Sequence, residues 1–409
     1  MTPLNRLLAS RTVSYFGDAM IPLTATFGVL HVDGGLGGVS LVMGTQLACT
    51  LLMPLGGVLA DRKPRALMIL GGDAVMCVIQ ALTGVLLLTG HASVGVLVAL
   101  TALYGVANAV VSPALTALIG ELTPPDGLQK TNARFAISRN GVRLFGPAAA
   151  GVIVTVAGAG ASYLVDAATF AASVLLLRGV QGAVTDTAAR ERAAAEPMLA
   201  SFRTGWREMV RIRWYRDTLL LFAVWNLGYM PVFVIGPVLF DADGDGAREW
   251  ATVGTAAALG AVLGGVVAHV SVRRRALLVP SALVAAAAAE PVAIAVGAHV
   301  LVVAAGALAA GLVITIYDTA WDTAIQALVP QEVMSRIDSY TWLIGMGTMP
   351  LGLLVTAPVS ELIGAEGTLW AGVALMLGSS AALVALPSIR HLLLPEQVSS
   401  REPVPADAG

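Results

Sequence analysis

Acidic residues recur in this sequence inside stretches that are otherwise apolar, and their spacing is that of helix faces. Thr315, Asp318, Asp322 and Gln326 follow one another at steps of three and four and so share one face of a helix. Asp318 lies 12 residues before Pro330, about 18 Å along a helix axis, close to the middle of an apolar segment. A carboxylate in that place is expensive to keep and is a functional candidate by default: it can exchange a proton as its surroundings alternate, or contact a substrate. A permanent ion pair or hydrogen bonds to backbone are the rival readings. Asp18 offers the same chemistry, with Arg11 and Ser14 on its face. Arg139 and Arg143, one turn apart, can counter-charge Asp18 or an anionic substrate, or serve in structural pairing. Tyr104 and Asn108 sit on a stripe with Thr101 and Ser112, and Trp225, Asn226 and Tyr229 form a second polar and aromatic group. Aromatic faces with a few polar tips suit amphipathic, ring-bearing ligands, although such residues also serve as packing.

The elements that position these groups are set by composition. Of 409 residues, 57% are hydrophobic and only 12% charged, with a mean hydropathy of +0.80. Soluble domains carry roughly 25% charged residues, and this chain has too few to cover a globule of its size in water. A bilayer is the solvent that fits, and a helix needs about 20 apolar residues to cross it. The pattern predicts twelve spans, at 9–32, 38–60, 66–89, 93–119, 133–158, 161–178, 217–240, 250–272, 276–297, 300–328, 337–358 and 366–388. With the N-terminus inside, all but Arg248 of the 24 basic residues fall on the cytoplasmic side or nearer to it. That is the positive-inside pattern, with both termini cytoplasmic. The net charge of −2 argues against nucleic acid. Cys49 and Cys77 lie in apolar runs and read as small hydrophobes. No phosphate-binding loop and no metal-ligand spacing is present, so no cofactor and no metal are expected.

The longest polar stretch, 179–216, divides the spans into two sets of six, with an amphipathic piece expected from Phe202 to Trp214. The organisation expected is an N-terminal half at 1–178, a linker at 179–216, a C-terminal half at 217–390 and a disordered tail at 391–409. The halves look related. Each carries an apolar helix, a turn at proline and a glycine-containing helix with an internal proline, Pro147 or Pro350, 203 residues apart. Such a repeat places a substrate site between the halves near the bilayer midplane.

Between spans two and three stands GGVLADRKPRAL. Gly57, Leu59, Ala60, Asp61, Arg62 and Arg65 resemble the signature loop of the major facilitator superfamily, with Pro64 and Ala66 departing from it. SRTVSYFGDA, SPALTALIGELTP, LFGPAAAG, YLVDAATF and IQALVPQEVMSRI resemble its drug–proton antiporter branch, which contains macrolide-efflux and enterobactin-exporter proteins. The resemblance implies an all-α membrane protein of twelve transmembrane helices in two six-helix halves. It implies a conformational latch at Asp61, Arg62 and Arg65, and an antiporter-like element at Gly146, Pro147 and Gly151. It also implies that helices 1, 4, 7 and 10 line the cavity, which leaves Asp73, Asp166 and Glu290 in supporting helices with structural roles. Asp166 stands out, because Thr169 and Ser173 extend its stripe. Span four lacks the embedded arginine that many proton-coupled exporters of the branch carry. The function expected is export of a small organic molecule across the cell (inner) membrane, with protons as coupling ion. Import, uniport and a non-cycling membrane receptor of the same fold stay open, as does the oligomeric state.

Overall fold

A computed structural model describes residues 2–124, 127–178, 210–241, 246–271, 277–329, 344–345, 347–390 and 392. In a bilayer every backbone N–H and C=O must be satisfied within its own segment, so apolar runs of this length become helices. The helices are α1 (Pro3–His31), α2 (Gly35–Ala48), α3 (Met53–Arg62), α4 (Arg65–Leu88), α5 (Val94–Leu122) and α6 (Leu128–Leu177). They continue with α7 (Arg213–Tyr229), α8 (Pro231–Asp241), α9 (Gly246–Ser271), α10 (Leu278–Leu283) and α11 (Ala289–Ala295). The last are α12 (Val300–Leu328), α13 (Gly347–Ala385) and α14 (Pro387–Arg390). Short 3-10 turns join α2 to α3 (Cys49–Leu52) and lie between α10 and α11 (Val284–Ala288). Side-chain caps start three of the long helices. Thr2 Oγ1 accepts from Asn5 N–H at 3.3 Å, Ser93 Oγ from Val96 N–H at 3.4 Å, and His299 Nδ1 from Leu301 N–H at 3.3 Å.

Among the described residues, ten helical stretches are long and apolar enough to span a membrane. Two of them are too long for one crossing. At 1.5 Å per residue, the 50 residues of α6 would extend about 75 Å, against a hydrocarbon core of about 30 Å. Gly158 interrupts α6 at φ 81°, ψ 164°, and Gly364 interrupts α13 at φ 79°, ψ 162°. Only glycine visits that region readily. Split at these two points, the ten stretches give the twelve crossings expected from the sequence. The matching dihedrals lie 206 residues apart, close to the separation of Pro147 and Pro350.

The packing repeats as well. Helix α6 lies along α1 and α4, and α13 lies along α7; α9 packs closely on α12, as α2 and α3 do on α5. Two seams cross between the halves, α6 against α9 and α2 against α13, each the counterpart of the other with the halves exchanged. Large apolar side chains face outward, Leu301 at 65% and Val78 at 66% exposure among them. Water would make that surface costly at about 25 cal/mol per Å² of apolar area; lipid does not.

Candidate functional site

One wall of the C-terminal half is built from aromatic rings. On α7, Phe222, Trp225, Tyr229 and Phe233 (the last on α8) recur at helical spacing; on α12, Tyr317 and Trp321 are one turn apart. The rings meet. Phe222 stacks on Trp225 (centroids 5.5 Å apart, planes at 5°) and on Tyr317 (4.7 Å, 15°), and Tyr215 stacks on Trp321 (5.3 Å, 23°). Tyr229 tilts against Trp225 at 5.1 Å and meets Phe233 edge-on at 5.4 Å. Offset and edge contacts of this kind add to the burial of the rings and hold their faces in place.

All of these rings except Tyr215 border a cavity of about 390 Å³, whose described lining also includes Met230, Asn226, Gly345 and Met349. Asp318 and Asp322 project into it from the face of α12 adjoining Tyr317 and Trp321, and both are exposed to the cavity. Asn226 is held by donating Nδ2–H to the Gly345 carbonyl at 3.4 Å. Trp225 Nε1 and the Tyr317 hydroxyl are buried without a hydrogen-bond partner among the described residues, which leaves two donors at the edge of the cavity. No lysine or arginine is among its described lining residues. Among its described lining residues the space is thus largely apolar and flat-walled, with two carboxylates one turn apart in its wall.

Five residues singled out by sequence, Trp225, Asn226, Tyr229, Asp318 and Asp322, come together here. Of their stripe, Thr315 instead faces α9, where Gly264 leaves room for it. Sequence reasoning missed Phe222, Tyr317 and Trp321, although the spacing of 222, 225, 229 and 233 and the placement of 317 and 321 beside the two aspartates carried the signal. Glu290, expected in a supporting helix with a structural role, lies beside the cavity wall. Only 3% exposed, Glu290 accepts a hydrogen bond from the Tyr229 hydroxyl at 2.7 Å, so α11 reaches the cavity through one of its lining residues.

The N-terminal half holds the other candidates. Asp18 accepts a hydrogen bond from the Tyr104 hydroxyl. Arg11, which shares a helix face with Asp18, is instead in ion-pair contact with Asp73, and Ser10 and Ser173 complete that buried knot. Arg139 and Arg143 are exposed on α6, and neither is in ion-pair contact with Asp18. Tyr104 and Thr101 line a small cleft with Gln80, while Asn108 accepts from Ser112 at 3.3 Å. At the start of α4, Arg65 donates to Glu121 at 2.5 Å and to the Ala60 carbonyl at 3.3 Å; the side chains of Asp61 and Arg62 lie outside the described residues. Close approach at this helix end falls on Gly56, where a side chain would overlap the Ala109 backbone of α5, while Gly57 has open space with Pro113 at 3.9 Å. A side chain at Gly146 would strike Ala19 of α1, and one at Gly151 would strike Ala251 of α9. Pro147 packs where Gly254 of α9 lacks a side chain. Within the helix-five element, Gly146 thus packs on α1 of its own half, while Pro147 and Gly151 lie on the α6–α9 seam between the halves. The amphipathic piece expected at 202–214 lies largely outside the described residues; its end, Trp214, packs edge-on against Tyr215 and Trp321.

The comparisons agree with this architecture. The sequence model of the Major Facilitator Superfamily matches residues 7–341. No curated protein matches the chain in sequence. Solved structures share its fold: the nucleoside transporter NupG superimposes with a TM-score of 0.73 at 11% identity, covering 94% of this chain and 99% of that one. An auto-inhibited peptide transporter of the POT family gives 0.71 at 12% identity, with 99% of each chain covered. A bacterial homologue of the iron transporter ferroportin, in an inward-facing state, gives 0.71 at 18% identity, covering 93% and 98%. At these identities the likeness is one of fold.

Proposed function

We propose that this chain, which belongs to the major facilitator superfamily, is a secondary transporter that exports a small, amphipathic, ring-bearing molecule in exchange for protons. The reading rests on the aromatic cavity of α7 and α12 with Asp318 and Asp322 in its wall. Carboxylates one turn apart beside a ligand space bind a cationic ligand or protons, but not both at full strength, and that competition is what an antiporter needs. Export is favoured over import by the resemblance of Gly146, Pro147 and Gly151 to the antiporter element, of which Pro147 and Gly151 line the seam with α9.

In this reading, 1–178 rocks against 217–390 about the cavity, with both termini, the linker 179–216 and the tail 391–409 on the cytoplasmic side of the cell membrane. Contacts between the halves include the cluster Met20, Leu23, Phe27, Ala150, Ala247 and Ala251. These residues lie toward the bundle end opposite the chain termini. The cavity then opens toward the other end, where Arg65 and Glu121, with Asp61 and Arg62 in the same loop, act as the latch of the alternate state.

The test uses purified protein in proteoliposomes and ethidium, whose charge is permanent and whose rings are planar. An interior more acidic than the bath should drive ethidium accumulation above that of protein-free vesicles, and Asp318→Asn should abolish the response to the gradient. Ethidium exchange that ignores the gradient would replace antiport by uniport. Absence of counterflow across a panel of ring-bearing dyes would favour a receptor that does not cycle.

A further inference from the structure

The N-terminal half contains a group of acids that the ligand cavity does not use. Asp73 is fully buried and engaged by Arg11. Asp166, on the second part of α6, is equally buried. Its carboxylate is held by neutral donors, Gln80 Nε2 at 2.5 Å and Thr169 Oγ1 at 3.2 Å. It lies directly against Gly17, where any side chain would overlap both Asp166 Oδ1 and Thr169 Oγ1. Glycine at 17 is what lets the Asp166 carboxylate reach α1 one residue away from Asp18.

Asp18 in turn takes the Tyr104 hydroxyl. Tyr104 and Gln80, the donors to the two acids, line the same cleft, together with Gln46, Thr83 and Thr101. Its volume is about 10 Å³, the room of roughly one water. The charged and titratable groups within electrostatic reach of the pair are Arg11 and Tyr15 from α1, Asp73 from α4, Arg143 from α6, and the phenols Tyr104 and Tyr163, with the Cys77 thiol near Asp166. Among the described residues no arginine or lysine is in ion-pair contact with Asp18 or Asp166. Two carboxylates so placed cannot both carry charge without mutual repulsion in a medium of low dielectric, and a single proton between them removes it.

We propose that Asp18 and Asp166 form a paired carboxyl site that binds a further transported proton in the N-terminal half, in addition to the protons that compete with the ligand at Asp318 and Asp322. The proton comes from water to one carboxylate oxygen, forms an O–H that the Tyr104–Gln80 cleft connects to the second acid, and returns to water from the pair after the halves have rocked. Helix α6 links this site to the other half. Gly146 lies on Ala19, next to Asp18, and Gly151 and Pro147 lie on Ala251 and Gly254 of α9. A change of charge at the α1–α6 contact is thereby passed to the seam that must open for transport. The use of the proton rests on the transport reading; its binding does not.

The experiment is a pH titration of the infrared carboxyl C=O band of the purified protein, with ethidium binding measured on the same samples. A component of the wild-type titration should be lost, or move by about a pH unit or more, in Asp18→Asn and in Asp166→Asn alike, and should persist in Asp318→Asn. Asp18 is only partly buried, so Asp18→Asn decides the matter even where Asp166→Asn fails to fold. A titration of Asp18→Asn that superimposes on the wild type overturns the pair. Loss of that same component in Asp318→Asn, with Asp18→Asn leaving it in place, would assign it to the C-terminal cavity and overturn the pair equally. Failure of the wild type to bind ethidium would count against the ligand reading alone, since the titration needs no ligand.

Discussion

The seam between α6 and α9 makes a quantitative demand. Gly151 has no room for a methyl group, since its Cβ would overlap that of Ala251 and would stand 3.3 Å from the Ala247 carbonyl oxygen. Overpacking by one carbon costs about 1–3 kcal/mol where neighbours cannot retreat, and both neighbours here are a helix backbone and the first carbon of a side chain. If the seam forms only while this end of the bundle is closed, Gly151→Ala places that whole cost on one state. At about 1.4 kcal/mol per tenfold, the open population rises roughly 5- to 150-fold. Leu23, 6% exposed within the cluster that joins the halves, is the reporter. In a background without Cys49 and Cys77, the alkylation rate of Leu23→Cys should rise by that factor on adding Gly151→Ala. Adding Ala251→Gly, which vacates the contested volume, should return it toward the starting rate. An unchanged rate, or a rise that Ala251→Gly does not reverse, would refute the idea that this contact is specific to one state.

Three further outcomes are expected. Arg11→Gln removes the counter-ion of a fully buried carboxylate and should lower stability in detergent by about 3–5 kcal/mol; the double change with Asp73→Asn should recover most of it, since no buried charge is then left alone. Tyr229→Phe keeps the ring at the cavity but removes the donor 2.7 Å from Glu290, and thermal unfolding should show a loss of about 1–3 kcal/mol while ethidium binding falls less than in Tyr229→Ala. Gly364→Ala puts a side chain at φ 79°, and a loss of about 1–2 kcal/mol is expected in the same unfolding assay, with little effect from Gly367→Ala in the ordinary helix beyond it.

Membrane class and the places of the crossings were legible in the sequence, because they depend on local quantities: the length of apolar runs, and a backbone that must satisfy its own hydrogen bonds in lipid. The breaks at Gly158 and Gly364 fall where the apolar pattern pauses, and glycine supplies the backbone geometry a turn there requires. Periodicity also told which residues share a face, so Trp225, Asn226 and Tyr229 arrive together opposite Asp318 and Asp322. What periodicity does not carry is how each helix is rotated toward its neighbours. Arg11 shares a face with Asp18 yet meets Asp73; Glu290, on a supporting helix, reaches the cavity through Tyr229; Asp166 closes on α1 because residue 17 lacks a side chain. Those pairings are fixed by interhelix packing at small residues, where the lack of one side chain sets how near two backbones come. Only the tertiary structure decides which polar group stands across the gap.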